Sequence, residues 1–426
     1  MLGSSHHHHH EEEEEVEELL VVDPYRRSLT STSSTSSPPI HMRQLLIRCA
    51  ELISRSDLSA AHRLISILST NSSPYGDSTE RLVHQFTKAL SLRLNRTHHF
   101  YIHNNINNGI PPIINIHHQT TTSTTTTSES EVHQYSSAYL SLNQVTPFIR
   151  FTHLTANQAI LEAIDGQQNI HILDLDIMQG VQWPPLMQAL AERYPPPTLL
   201  RITGTGNDIN TLRRTGDRLA RFAHSLGLRF QFHPAVINNN NNVSSRESER
   251  ELDLSSILFL AEEALAVNCV HYLHRLLKDG DKLRLFLGKI KAVGARVLTV
   301  GERELGNLQH VEEAIDHYAA VFDSLEATLP PNSRERLEVE QIWLGREIEE
   351  VVDRERRHER LRWWEVMLRR SGFRNVALSP FALSQAKLLL RLHYPSEGYQ
   401  LHVLNHAHAC FLGWQNQPLF SVSSWQ

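Results

Sequence analysis

Asn169-Ile-His-Ile-Leu-Asp-Leu-Asp-Ile-Met-Gln-Gly-Val-Gln-Trp-Pro-Pro-Leu-Met-Gln-Ala-Leu190 changes character twice. Ile170 to Leu175 is a short apolar run of the kind that forms a buried strand, with an acidic pair, Asp174 and Asp176, at its end. Gly180 marks a turn, and Pro184 and Pro185 open a helix expected to run to Arg193, with proline in its first turn. Strand, acidic turn and helix in this order are the layout of a ligand site at the carboxyl edge of an open α/β sheet. Enzymes that bind dinucleotides or S-adenosylmethionine there place glycines directly after the strand, so that backbone can approach the ligand. Here Leu175, Ile177 and Met178 carry side chains in that turn, and Gly180 is its one glycine. The next strand, Leu199 to Thr203, is followed by Gly204-Thr-Gly206 and has no acidic residue for a ribose before Asp208. This favours a retained scaffold with no cofactor over a working cofactor site. Asp174 and Asp176 lack a third ligand or a nearby histidine motif in sequence, so capping the following helix or pairing with an arginine is the better reading than metal or acid–base chemistry.

Outward from this stretch the rhythm is strand and helix in alternation. Leu212 to Leu226 reads as a helix ending at Gly227, Leu228 to Phe232 as a third strand, and Val267 to Leu273 and Val297 to Val300 as further strands around a helix at Leu283 to Ile290. Such alternation argues for a parallel sheet covered on both faces. Helical stretches follow at Val311 to Leu329 and Val339 to Arg370. Val376 and Leu378 suggest an edge strand, and Gln400 to Trp425 suggests antiparallel strands turning at Gln415 to Pro418. Before the sheet, residues 42 to 96 and Tyr139 to Ile164 have helical periodicity, with Asp77 and Glu80 spaced as a capping box. Residues 1–41 carry His6 to His10, Glu11 to Glu15 and a Ser/Thr/Pro tract, and read as a disordered tail; the abrupt passage from histidine to glutamate fits a native tail slightly better than a purification tag. Inserts at 97–131 and 238–250 read as flexible on composition.

The 426 residues carry a net charge of −6, so whole-chain charge does not point to nucleic acid. Three distant cysteines in apolar surroundings argue against a disulfide framework, and no membrane span is expected. No Gly-x-Ser-x-Gly elbow, Walker loop or zinc-type Cys/His spacing is present. Leu212, Leu219 and Leu226 repeat every seven residues, but the run is too short for a coiled coil and fits an amphipathic helix on the sheet. Leu273, Leu276 and Leu277 match the LxxLL form that docks in coregulator grooves, although core packing is the commoner cause. Arg354, Arg356 and Arg357 begin an arginine-dense segment with interleaved glutamates; a solvated ion-paired helix is expected, with DNA contact as the minority reading.

Taken in order, the motifs resemble those of the plant GRAS proteins. Ile170-His171-Ile-Leu-Asp174 resembles the Val-His-Ile-Ile-Asp signature and continues through Asp176, Gly180, Gln182, Trp183 and Pro184. Tyr318-Ala-Ala-Val-Phe-Asp-Ser-Leu-Glu-Ala is similar to the central segment, and Gly345-Arg346-Glu347 follows. Arg357-His358-Glu359-Arg360 resembles Arg-Val-Glu-Arg, with histidine in place of valine. Trp364 to Gly372 and Trp414 to Trp425 keep the two C-terminal spacings, and Ser423-Ser-Trp425 stands for Ser-Ala-Trp. The resemblance covers residues 42 to 426. It implies a Rossmann-like, methyltransferase-like core (166–300 and 371–426) under a helical cap built from 42–165 and an insertion after 301. It also implies a non-enzymatic nuclear transcriptional regulator without cofactor. Its partners would be transcription factors, other GRAS proteins or coregulators, with DNA contact and homo- or heterodimers among the expectations. Several blocks are worded most like the branch linked to axillary meristem initiation. The alternative is a methyltransferase-like enzyme or small-ligand sensor that binds S-adenosylmethionine.

Overall fold

The apolar run becomes strand β1 (Asn169–Asp174), and the two prolines lie in the first turn of a helix, Trp183–Glu192. The computed structural model describes residues 38–107, 129–239, 250–252, 254–306, 311–353, 357–404 and 408–426. The chain divides into two units between His41 and Met42. Five helices precede β1: α1 (Pro38–Ser54), α2 (Leu58–Thr70), α3 (Ser78–Asn107), α4 (Glu129–Val145) and α5 (Pro147–Ala163). Asp57 caps α2 by accepting from Ala60 N–H at 3.1 Å, and Asp77 accepts from Glu80 N–H at 2.8 Å at the start of α3. The expected loop at 97–131 is corrected in part: α3 continues to Asn107 and α4 begins at Glu129, while 108–128 lie outside the described residues. Helix period, packed from one end, outweighs the polar composition of residues 97–107.

From β1 the chain follows the alternation read in the sequence. Helix α6 is Trp183–Glu192, and β2 (Leu199–Gly206), α7 (Ile209–Ser225) and β3 (Phe230–Val236) follow. Asp208, the first acidic residue after β2, caps α7 through the N–H groups of Asn210 and Thr211. Leu212 and Leu219 of α7 are buried against the sheet, as the amphipathic reading has it. Next come short β4 (Asn238–Asn239) paired with β5 (Arg250–Glu251), then β6 (Ala264–Val270), α8 (Gly280–Ala292) and β7 (Val297–Arg303). Residues 240–249 of the predicted insert lie outside the described residues.

After β7 come α9 (Val311–Thr328), α10 (Arg334–Glu338), a π-helical turn at Val339–Leu344, α11 (Gly345–Val352) and α12 (Leu361–Arg370). The single helical stretch expected over Val339 to Arg370 is therefore broken: residues 357–360 are neither helix nor strand. Strand β8 (Asn375–Val376) lies against the last strand, with Leu378 beyond it. Helix α13 (Pro380–His393) was not foreseen, although Ser379 with Pro380 is a legible start: Ser379 Oγ accepts from Ala382 N–H at 3.0 Å. Strands β9 (Tyr399–Val403), β10 (Cys410–Trp414) and β11 (Gln417–Trp425) complete the sheet. Gln415 and Asn416, with φ of 45° and 71°, form the two-residue turn between β10 and β11, as such a hairpin requires.

The sheet order is β3-β2-β1-β6-β7-β11-β10-β9, with β8 also on β11. The pairs among β3, β2, β1, β6 and β7 are parallel, and those involving β11 and β10 are antiparallel. Strand order reverses at β1: the chain moves outward through β2 and β3, then returns to place β6 on the other side. This is the topological switch point of a Rossmann-like α/β fold. Apolar side chains of α6 and α7 cover one part of the sheet, and those of α8 and α12 another. The insertion helices α9 and α11 pack on α3, joining the N-terminal helices in one cluster that also reaches Leu412 and Phe420. Helix α5 packs on β6, β7 and β11 and shares the apolar cluster of the other N-terminal helices.

Candidate functional site

At the switch point the carboxyl ends of β1 and β6 stand side by side, with Asp174 opposite Asn268 in the register. Asp174 Oδ2 accepts from the Trp183 indole N–H at 2.8 Å, and Oδ1 accepts from Asn268 Nδ2 at 3.0 Å. Asn268 and Gln182 exchange amide hydrogen bonds of 3.0 and 3.1 Å, and Thr299 Oγ1 donates to Asn268 Oδ1 at 2.9 Å. Gln182 also donates to Asn157 Oδ1, and Asn157 Nδ2 returns a 2.7 Å bond to the Gln182 carbonyl. Asp174, Gln182, Asn268, Thr299 and Asn157 are all buried. Burial pushes the Asp174 carboxyl up to about 7 even though the bonds from Asn268 and Trp183 pull it down. A carboxyl of that kind could serve as an acid or base, but both of its oxygens are engaged by side chains of the same chain.

The turn that follows is folded down on the strand ends. Leu175 N–H bonds the Asn268 carbonyl and Ile177 N–H the Thr205 carbonyl, each at 3.1 Å. Leu175 and Ile177 are buried, and Ile177 lies so close to Gly204 that a Cβ there would come within 2.7 Å of its Cδ1. Gly180 (φ 68°) occupies the left-handed region, and Met178 (φ 47°) does so at greater steric cost. Asp176 points away from this network to Arg275, at 2.5 Å. Asp176 takes one of the roles favoured from the sequence, pairing with an arginine, whereas Asp174 does not cap α6: it accepts from the Trp183 indole and the Asn268 amide rather than from a backbone N–H of that helix. His171 is also structural. Its Nε2 lies 2.8 Å from Thr203 Oγ1, and Arg201 packs beside its Nδ1 while pairing with Glu263.

A second set of motif residues meets at the end of β7, where Glu302, Arg303 and Glu304 are all buried. Arg303 pairs with Glu347 at 2.5 Å, tying α11 to the sheet. Glu304 accepts from Leu361 N–H at 3.1 Å, which sets a carboxylate at the start of α12. Glu302 accepts from His274. None of these three was singled out from the sequence; a glutamate–arginine–glutamate run directly after a buried strand was the available signal. Arg346 remains exposed, paired with Glu350 and stacked over Tyr135. Arg357 and Arg360 are exposed, Arg360 meeting Glu313 at 3.3 Å, while Arg354 and Arg356 lie outside the described residues. Trp364 is buried and donates to the Glu359 carbonyl; Gly372 (φ 85°) follows α12 in the left-handed conformation. Trp414 packs edge-on to Tyr399, and Trp425 is fully buried.

Of the two readings of the LxxLL match, docking motif and core packing, the structure favours core packing. Leu273, Leu276 and Leu277 lie in and just after one 3-10 turn, Leu273 and Leu277 are buried, and Leu276 packs on the same cluster. They fill the core rather than line the outward face of an α-helix. The three cysteines are buried free thiols. A cavity of about 580 Å³ lined by Lys291, Arg296 and Arg374 lies at the opposite, amino-terminal edge of the parallel strands. Among the described residues no helix is long and apolar enough to cross a membrane.

A profile of the GRAS domain family matches residues 42–426. Scarecrow-like protein 18 of Arabidopsis thaliana is 52% identical over 410 residues, covering 90% of this chain and 91% of that protein. Protein MONOCULM 1 of Oryza sativa subsp. japonica is 44% identical over 416 residues, covering 90% and 88%. The crystal structure of SCL7 of Oryza sativa is similar with a TM-score of 0.69 at 30% identity, covering 92% of this chain and 100% of that one.

Proposed function

The chain belongs to the GRAS domain family, and from that premise we propose that it is a non-enzymatic transcriptional regulator of plant development that acts in the nucleus through protein partners. The observation that carries this reading is the closed switch point. Asp174 is satisfied by Trp183 and Asn268, and Ile177 packs on Gly204 where backbone would otherwise lie open to a ligand. A site closed by its own side chains is suited to holding a surface in shape rather than to turning over a substrate. The partners are transcription factors, other GRAS proteins and coregulators, in homo- or heteromeric assemblies. The developmental setting is axillary meristem initiation and lateral shoot formation, suggested by the wording of the motifs. Exposed Arg357 is the described member of the arginine group through which DNA would be touched.

Tethering the chain to a reporter promoter in plant nuclei tests this: reporter output changes, and proximity labelling recovers transcription factors. An unaffected reporter with no nuclear partners refutes it. One observation favours the second reading, an S-adenosylmethionine-binding enzyme or sensor: a carboxyl raised to about 7 sits at the switch point. Calorimetry with S-adenosylmethionine separates the two. Micromolar binding lost in Asp174→Ala, with folding checked by a melting curve, would select the second.

A further inference from the structure

We propose that His274, Glu302 and His358 form a zinc site that fastens the segment before α12 to the end of the sheet. One donor atom from each of the three lies within 4.8 Å of the others, and all three side chains are buried. His274 follows β6 in the 3-10 turn, Glu302 is the penultimate residue of β7, and His358 lies in the irregular run 357–360. Three segments distant in sequence thus bring two imidazoles and a carboxylate to one point. Two histidines with a glutamate are a donor set that Zn²⁺ accepts, leaving a fourth position open.

The geometry is close to what the ion needs. His274 Nδ1 stands 2.9 Å from Glu302 Oε2, and the rings of His274 and His358 stack at 4.8 Å with 22° between their planes. Ligand bonds of ~2.0–2.2 Å put tetrahedral donors ~3.4 Å apart. His274 and Glu302 stand about 0.5 Å inside that spacing, and all three donor atoms lie within 4.8 Å of one another, so modest shifts of side chains would admit the ion. Zn²⁺ at His274 Nδ1 takes the place of the hydrogen bond to Glu302, with the imidazole N–H carried on Nε2. The two nearby guanidiniums do not make the point repulsive: Arg275 is matched by Asp176 and Arg303 by Glu347, each at 2.5 Å.

His358 separates this site from an ordinary buried His–Glu pair. It replaces the valine of the Arg-Val-Glu-Arg element, so the third ligand is a feature of this chain rather than of the pattern it resembles. Valine at that place also supplies the test, because it fits the same framework and removes only the ligand.

The measurement is zinc uptake by full-length protein, in competition with a chromophoric chelator, for the wild type and His358→Val. All samples carry His6 to His10, whose own metal binding is common to them and cancels. The wild type should hold one more equivalent of zinc than His358→Val, bound at least tenfold more tightly than the tail holds it. Zinc should raise the melting point of the wild type alone. Cobalt should give the intense visible bands of a four-coordinate ion in the wild type and lose them in the variant. His358→Gln, which keeps polarity and bulk, serves if the valine variant is poorly soluble. Equal uptake and equal melting shifts in the wild type and a folded variant would overturn the site and leave His274–Glu302 as a structural pair.

Discussion

Replacing Asp174 by asparagine should flatten the pH dependence of stability. In the fold this carboxyl is raised from an ordinary 3.8 to about 7, chiefly by burial. Between those values the unfolded chain carries the charge and the folded chain keeps the proton. Stability from this group is therefore fully present below pH ~4 and lost as pH rises to ~7. At ~1.4 kcal/mol for each tenfold change in proton affinity, the loss is ~4 kcal/mol in all, and ~2 kcal/mol of it falls between pH 5.5 and 8. Asparagine cannot ionise, so the variant lacks this slope. It still offers a carbonyl to the Trp183 indole, while its NH₂ group meets the Asn268 amide and adds a penalty of ~1–3 kcal/mol that does not vary with pH. Buried histidines such as His171, pushed down to about 3 by burial, also shape the curve, but they act alike in both proteins. Urea unfolding at pH 5.5, 6.5, 7.5 and 8 isolates the term as the difference between wild type and variant. The wild type should lose ~2 kcal/mol relative to Asp174→Asn across that range. Parallel curves would show that Asp174 is ionised in the fold throughout, and burial would not be the dominant influence on it.

Three further outcomes follow from packing. Trp425→Ala removes a fully buried indole from β11 and should cost ~3–5 kcal/mol by chemical denaturation. Gly180→Ala adds a Cβ at φ 68° and 2.8 Å from Thr215 Cγ2, whereas Gly166→Ala has the same backbone conformation (φ 71°) with no neighbour within 4 Å. The melting point should thus fall clearly further for Gly180→Ala, with ~1 kcal/mol expected for backbone strain alone at Gly166. Glu347→Gln leaves the buried guanidinium of Arg303 without its counter-charge and should destabilise by ~3–5 kcal/mol, whereas Glu350→Gln, which touches half-exposed Arg346, should stay within ~0.5 kcal/mol.

The sheet's parallel half was readable because its signals are local. Apolar runs of strand length alternate with helical periods, and Asp208 and Pro184 mark helix starts within a few residues of their effect. Where the sequence misled, the deciding contacts came from afar. Residues 97–107 look like loop by composition, yet they extend a helix anchored by packing at Leu82, Phe86 and Leu90. Leu273 and Leu277, by contrast, fit a docking motif by spacing, but core packing was the commoner reading and both are buried in the core. The occlusion after Asp174 was visible in the missing glycines, but its cause was not: Asn268 lies 94 residues away from the carboxylate it holds. His274, Glu302 and His358 have no metal spacing in one dimension and meet only when β6, β7 and the approach to α12 converge.

Strand β11 lies between β7 and β10 but comes about 110 residues after β7 in the chain. During synthesis, at ~5–20 residues per second, the edge of β7 has no strand partner for ~6–20 s while the insertion helices and α12 and α13 emerge. An unpaired, apolar parallel edge is a template for intermolecular pairing. The cell's hazard with this protein therefore lies in its manufacture: slow codons or sparse chaperones between β7 and β11 lengthen the exposure and lower yield, even for a chain whose finished fold is sound.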